Sequence, residues 1–153
     1  MNNIALIPAR GGSKGILRKN IKLFNKKPLI YWTIKQALES KFVDRVIVST
    51  DDEEIADIAR SFSAEVPFLR PKKFSEDHSP GIEPVLHALE SLPDIDDVLL
   101  LQPTSPLRRT FDIDEIFKIR SKYNSDSAVS VSLSSKNIDL FFEMNSTNII
   151  SPY

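Results

Sequence analysis

The residues best suited to chemistry form one run near the start of the chain: Arg10, Gly11, Gly12, Ser13, Lys14 and Gly15, followed by Arg18, Lys19 and Asn20. Three glycines in five positions let backbone N–H groups approach a ligand closely. The surrounding charge has one sign. Eight of the 20 Lys and Arg precede Glu39, whereas all 21 Asp and Glu lie from Glu39 onward. The formal net charge is only −1, so this is segregation rather than overall basicity. Such a loop suits a polyanion, most simply a phosphate chain. Arg10 and Lys19 flank it and are the candidate functional cations. Arg18 and Lys22 are expected to be solvated charges.

The run is neither G-x-x-x-x-G-K-[ST] nor G-x-G-x-x-G, so neither the P-loop nor the dinucleotide fingerprint applies. It does contain G-x-S-x-G centred on Ser13. A nucleophile elbow, however, needs its Ser at the apex of a strand-to-helix turn. Ser13 lies several residues past the strand, and no helix is expected before about Pro28. A Ser-dependent hydrolase acting through Ser13, with His78 or His87 as base, is therefore the lesser alternative. His87 falls opposite the apolar stripe of its helix and is expected to be solvated or partly covered.

Other polar groups end later strands. Asp51 and Asp52 follow the second strand and suit a helix N-terminus better than a metal. Arg70 and Pro71 follow the third; Arg70 is either part of a turn or a contact for a base or phosphate. Gln102-Pro103-Thr104-Ser105-Pro106 follows the fourth. Its two prolines fix the backbone, which favours specific recognition of a hydroxylated substrate. The Asp-Ile-Asp triplets at 94–96 and 112–114 are discounted as metal sites. One precedes a strand and the other sits in a helix's first turn.

The elements that must position these residues alternate. Strands are expected over residues 4–7, Arg45–Ser49, 65–69, 98–101 and 127–133. Between them run helical patterns. One starts near Pro28, with Ile30, Ile34, Ala37 and Leu38 inward. One follows the capping-box spacing Thr50 to Glu53, with Ile55, Ile58, Ala59 and Phe62 inward. A third carries Ile82, Val85, Leu86 and Leu89. A fourth follows Thr110, with Ile113, Ile116, Phe117 and Tyr123 inward. This order implies a three-layer α/β/α fold, Rossmann-like, with a mostly parallel sheet. In such sheets ligands bind beyond the carboxyl ends of the strands, where all these polar groups fall.

At 153 residues and 41% hydrophobic, the chain suits one globular core. It has no Cys and two His, which excludes disulfides and thiolate chemistry and disfavours zinc. No apolar run reaches membrane-spanning length and no signal peptide opens the chain, so a cytoplasmic location is expected, with no membrane partner. Near-zero net charge argues against nucleic acid.

Five segments together carry a resemblance: Ile7-Pro8-Ala9-Arg10-Gly11-Gly12-Ser13-Lys14-Gly15, Arg18-Lys19-Asn20, Val48-Ser49-Thr50-Asp51-Asp52, Pro67-Phe68-Leu69-Arg70-Pro71 and Leu101-Gln102-Pro103-Thr104-Ser105-Pro106-Leu107-Arg108. In this order, from the first strand to about Val131, the chain resembles the acylneuraminate cytidylyltransferases. These are the CMP-sialic acid synthetases and their relatives acting on legionaminic or pseudaminic acid. The related CMP-Kdo synthetases carry a different loop after the first strand. The resemblance implies transfer of CMP from CTP to a nine-carbon 2-keto sugar acid, with release of pyrophosphate and with Mg²⁺. It implies that Arg10, Ser13 and the Gly11 and Gly12 amides hold the triphosphate, and that Lys19 stabilises the α-phosphate. Asn20 and Arg70 would contact the nucleotide and Gln102 the sugar acid. Leu17 stands where a proline is usual, and Ser79-Pro80-Gly81 replaces a segment usually rich in Ser and Thr. Family members continue well past the position of Tyr153, with a dimerisation arm and an Asp pair for Mg²⁺, and act as homodimers. The expectation is a cytidylyltransferase core over residues 1–133 and the start of a C-terminal region over 134–153, in which residues 140–144 lack an evident partner strand. The alternative is a non-catalytic nucleotide-binding remnant of the same fold.

Overall fold

The computed structural model describes residues 2–76, 78–131, 142–144 and 150–152. Three short apolar segments form its central sheet: β1 (Asn3–Pro8), β4 (Arg45–Ser49) and β5 (Asp97–Leu100). The order is β4-β1-β5, with both pairings parallel. The register places Pro8 opposite Ser49 and Leu6 opposite Leu100, so the three strands end at one level. Strand β1 is apolar on both faces, as a central parallel strand must be. Ala5 and Ile7 face one layer with Val46 and Val48, and Ile4 and Leu6 face the other with Ile47.

Helices α1 (Leu29–Leu38), α2 (Glu53–Ser61) and α4 (Thr110–Tyr123) cover the first face through Ile30, Ile34, Ile55, Ala59 and Ile113. Helix α3 (Glu83–Ser91) covers the second, with Ala88 and the following Leu92 against Ile4, Leu6 and Ile47. That is the expected three-layer parallel α/β architecture. Between β1 and α1 stands a small hairpin, β2 (Leu23–Phe24) with β3 (Lys27–Pro28). Its two turn residues, Asn25 and Lys26, have φ of 48° and 64°, the signature of a type I′ turn. Pro28 thus closes β3 and caps α1 instead of occupying its first turn.

Several expectations are corrected. Residues 65–69 meet β4 only through two parallel bridges, Ile47 with Glu65 and Thr50 with Leu69, so they extend the sheet without a continuous strand. Residues 127–131 form no strand, and residues 132 and 133 lie outside the described set. On α3, Ile82, Leu86 and Leu89 are exposed, because the small Pro84 and Ala88 face the sheet. Tyr123 also lies outward, at the last turn of α4. The N-cap of α2 is Asp52 and not Thr50: its carboxylate accepts from the Ile55 amide at 3.0 Å. Phe142–Met144 (β6) does have a partner, the antiparallel Ile150–Pro152 (β7). The division at residue 133 falls outside the described residues.

Candidate active site at the carboxyl edge of the sheet

The glycine-rich loop leaves β1 at Pro8, and Ala9 still donates to the Ser49 carbonyl at 2.9 Å. From there the loop is tied to the start of α2 at two points. The Gly11 amide donates to Asp51 Oδ1 at 3.0 Å. The Arg18 guanidinium forks onto both oxygens of Asp52 and also reaches Glu54. Arg18 sits in the left-handed region at φ 53° to do so. The expectation of a solvated Arg18 is therefore corrected: its hydrogen bonds and charge hold the Asp52 carboxyl below its ordinary range. Sequence patterning could not see this, because the partner carboxylates lie 34 and 36 residues away.

This seam explains one glycine. A Cβ on Gly11 would stand 2.5 Å from Asp52 Oδ2 and 3.0 Å from Asp52 Cβ. Asp52 cannot swing aside without losing Arg18 and the Ile55 amide. The loop then closes on itself. Asn20, buried in a single 3-10 turn (Lys19–Ile21), donates to the Arg10 carbonyl at 2.9 Å. The Leu29 amide donates to the Lys22 carbonyl at 2.9 Å, joining the end of this stretch to α1.

Two cations converge on Ser75. Arg70 is 4% exposed, at the edge of the sheet beside Thr50, whose carbonyl accepts its amide at 2.7 Å. Arg70 Nε donates to Ser75 Oγ at 2.9 Å, and its Nη1 lies 3.4 Å from Ser49 Oγ. Arg10 Nη1 donates to the Ser75 carbonyl at 3.3 Å. Burial pushes the Arg70 guanidinium below its ordinary pKa, and Arg10 pushes it further down; Asp51 opposes both. A buried cation bonded to neutral hydroxyls beside a second cation is a site whose energy an anion lowers. Ser49 and Ser75 carry no sequence signal of this role. They are short polar residues 26 positions apart, and only the fold brings them to one guanidinium.

The remaining expected site residues divide. Gly12 lines an open pocket with Lys14, Ser75, Glu76 and His78, on the cationic side of the site. Ser13 is buried, and its amide donates to the Gly11 carbonyl at 3.0 Å. Lys19 is half-buried at the start of its 3-10 turn. Gln102 is exposed past β5; continuing the β1–β5 register places it level with Pro8, next to the loop. Its carbonyl accepts from Arg108 Nη2 at 3.2 Å. No hydrogen bond joins Gln102 to Asn20 or Arg70 among the described residues.

The hydrolase geometry does not form. Ser13 lies inside the loop, away from any strand-to-helix apex, and neither histidine bonds to it among the described residues. His87 is half-buried, the partly covered histidine the sequence allows, with its ring against Phe68 and Phe74. Among the described residues no group of three or more His, Asp or Glu is placed to hold a metal ion. Asp51 Oδ1 accepts the Gly11 amide at 3.0 Å.

A parallel α/β sheet bearing a cationic loop on its carboxyl edge defines the Rossmann-like class, in which ligands bind beyond the strand ends. The same fold recurs in a CMP:2-keto-3-deoxy-manno-octonic acid synthetase solved in complex with CTP, with a TM-score of 0.70 and 23% identity over 80% of this chain and 48% of that one. The cytidylyltransferase family model matches residues 4–149, and the chain belongs to that family. It is 45% identical over 111 residues to the pseudaminic acid cytidylyltransferase of Campylobacter jejuni (serotype O:2), covering 70% of this chain and 48% of that protein. It is 43% identical over 136 residues to the CMP-N,N'-diacetyllegionaminic acid synthase of Legionella pneumophila, covering 86% and 58%. The chain thus spans about half the length of these two relatives.

Proposed function

We propose that this chain carries the nucleotide-binding core of a cytidylyltransferase that moves CMP from CTP to a nonulosonic, sialic-type sugar acid. The observation that carries the reading is the convergence of Arg10 and buried Arg70 on Ser75 beside a glycine-rich loop. Such a cradle favours a triphosphate. The relatives' activities, on pseudaminic and diacetyllegionaminic acids, supply the sugar class.

In the proposed reaction the anomeric hydroxyl oxygen of the sugar acid bonds to the α-phosphorus of CTP. The bond from that phosphorus to the bridging oxygen breaks, and pyrophosphate leaves with the electron pair. The hydroxyl proton passes to solvent or a base. The protein's task is then positioning and charge stabilisation. Arg10, Ser13 and the Gly12 amide bind the β- and γ-phosphates. Lys19 neutralises charge growing on the α-phosphoryl oxygens. Asn20 and Arg70 orient the nucleotide, and Gln102 meets the sugar acid at the neighbouring strand end. The Gly11 amide, engaged by Asp51, holds the loop's shape. Mg²⁺ is proposed to arrive with the triphosphate, held by carboxylates outside the described residues; it supplies neutralising charge, and none of the steps above is assigned to it. A homodimer, a cytoplasmic location and a C-terminal region beginning near residue 134 belong to the same proposal. No helix among the described residues is long and apolar enough to cross a membrane.

Calorimetric titration of CTP into the full-length protein tests the binding step. Arg10→Ala and Lys19→Ala should each weaken CTP by roughly 10- to 100-fold, the range of a charge-assisted hydrogen bond. Pyrophosphate release should require both CTP and a sialic-type acid. Unchanged CTP affinity in both variants would refute the reading.

A further inference from the structure

Helix α3 lies on the opposite face of the sheet from the loop's partners, yet it touches the site through one ring. His87 packs edge-to-face on Phe68, with centroids 4.8 Å apart and planes at 78°. It also meets Phe74, at 5.6 Å and 54°. Phe68 is two residues before Arg70. Phe74 ends a second 3-10 turn (Lys72–Phe74) and is followed directly by Ser75. That turn is short and closed by bonds within residues 71–79: Phe74 N–H to the Pro71 carbonyl at 3.0 Å, Ser75 N–H to the Lys72 carbonyl at 2.8 Å and Ser79 Oγ to the Lys73 carbonyl at 2.7 Å. None of its residues is fully buried. Arg70 and Arg10 reach Ser75 from the sheet side, and the turn's brace on its other side comes from α3. The His87 ring supplies it. Its Nδ1 is buried without a partner among the described residues, so that atom contributes no polar anchor and the ring's contacts are the aromatic faces.

We propose that His87 is a positioning residue: it wedges between Phe68 and Phe74 and thereby sets the Ser75 hydroxyl and carbonyl at the places where they hold Arg70 and Arg10. Both ends of the anion cradle then depend on one aromatic contact from α3. This rests on the reading of Arg10 and Arg70 as phosphate-binding groups. Neither His87 nor Phe74 belongs to any of the five segments that carry the family resemblance.

The test uses the full-length protein and two independent readouts. The first is hydrogen exchange of the Phe74 and Ser75 amides without nucleotide. His87→Ala should speed it several-fold, Phe74→Leu should do the same, and His87→Phe should leave it near wild type because the ring is kept. The second is CTP affinity. His87→Ala should weaken CTP about 5- to 10-fold, in line with the loss of aromatic contacts. His87→Phe should restore it to within about twofold, and His87→Ala should add nothing in an Arg10→Ala background. A residue serving only general stability would lower the melting temperature, leave the folded protein's affinity intact and act additively with Arg10→Ala. Unchanged exchange at residues 74 and 75 in His87→Ala overturns the proposal whatever nucleotide does. Exchange that responds while Arg10→Ala leaves CTP affinity untouched overturns the phosphate reading alone.

Discussion

Asp52 serves three roles at once. It caps α2, receives Arg18 and sets the clearance above Gly11. Its carboxyl titrates below the ordinary value of 3.8, chiefly because Arg18 hydrogen-bonds its charged form. A depressed folded value means that the pair's stabilisation is complete above the unfolded pKa and is lost as pH falls through the folded one. Asp52→Asn keeps a cap acceptor but removes the charge. It should lower stability at pH 7 by roughly 0.2–1 kcal/mol, the scale of a partly exposed pair. The gap from wild type in chemical denaturation should narrow as pH falls below the ordinary carboxyl value of 3.8. Gly11→Ala should cost more, about 1–3 kcal/mol, because the new methyl meets a carboxylate that is held on both sides. A melting temperature equal to wild type would show that the loop can shift away.

At the scale of elements, the sheet and its layers rest on parity. Ile34 lies fully buried on α1 against the odd-numbered face of β1, and Ile34→Ala should destabilise by about 2–5 kcal/mol, measured by denaturant unfolding. This part of the fold was legible in the chain itself. Apolar runs at residues 4–7, 45–49 and 98–101 have no polar alternation, and helical spacing marks Ile30, Ile34, Ile55 and Ile113. What misled was size. On α3 the larger apolar residues point outward and Ala88 points in, because a close helix-to-sheet approach favours a small side chain that no hydrophobicity count rewards. The site was half legible. Local chemistry announced the Gly-rich loop, Arg70 and Gln102, all at strand ends. Arg18's carboxylates, the serines under Arg70 and the rings around His87 are contacts across long stretches of chain, and periodicity carries no information about them.

For the whole molecule, the telling property is the separation of charge along the chain. The basic first quarter supplies the loop, while acidic residues at the start of α2 hold its base: Asp51 takes the Gly11 amide and Asp52 takes Arg18. Electrostatic attraction of a triphosphate to such a cradle should weaken with salt. CTP affinity is expected to fall several-fold between about 0.05 and 0.5 M NaCl, as the screening length drops from roughly 14 to 4 Å. Cytidine, lacking phosphate, should show almost no such dependence.

The stapling of the loop at Gly11, Arg18 and Asn20 has an evolutionary consequence. Residues 14–17 are all exposed between fixed ends. Lengthening or rewriting such a span is cheap, since doubling a flexible loop costs only about 0.6 kcal/mol in closure entropy. The tip can therefore drift, lengthen and adopt new preferences from one lineage to another while its moorings, and the scaffold beneath them, stay as they are.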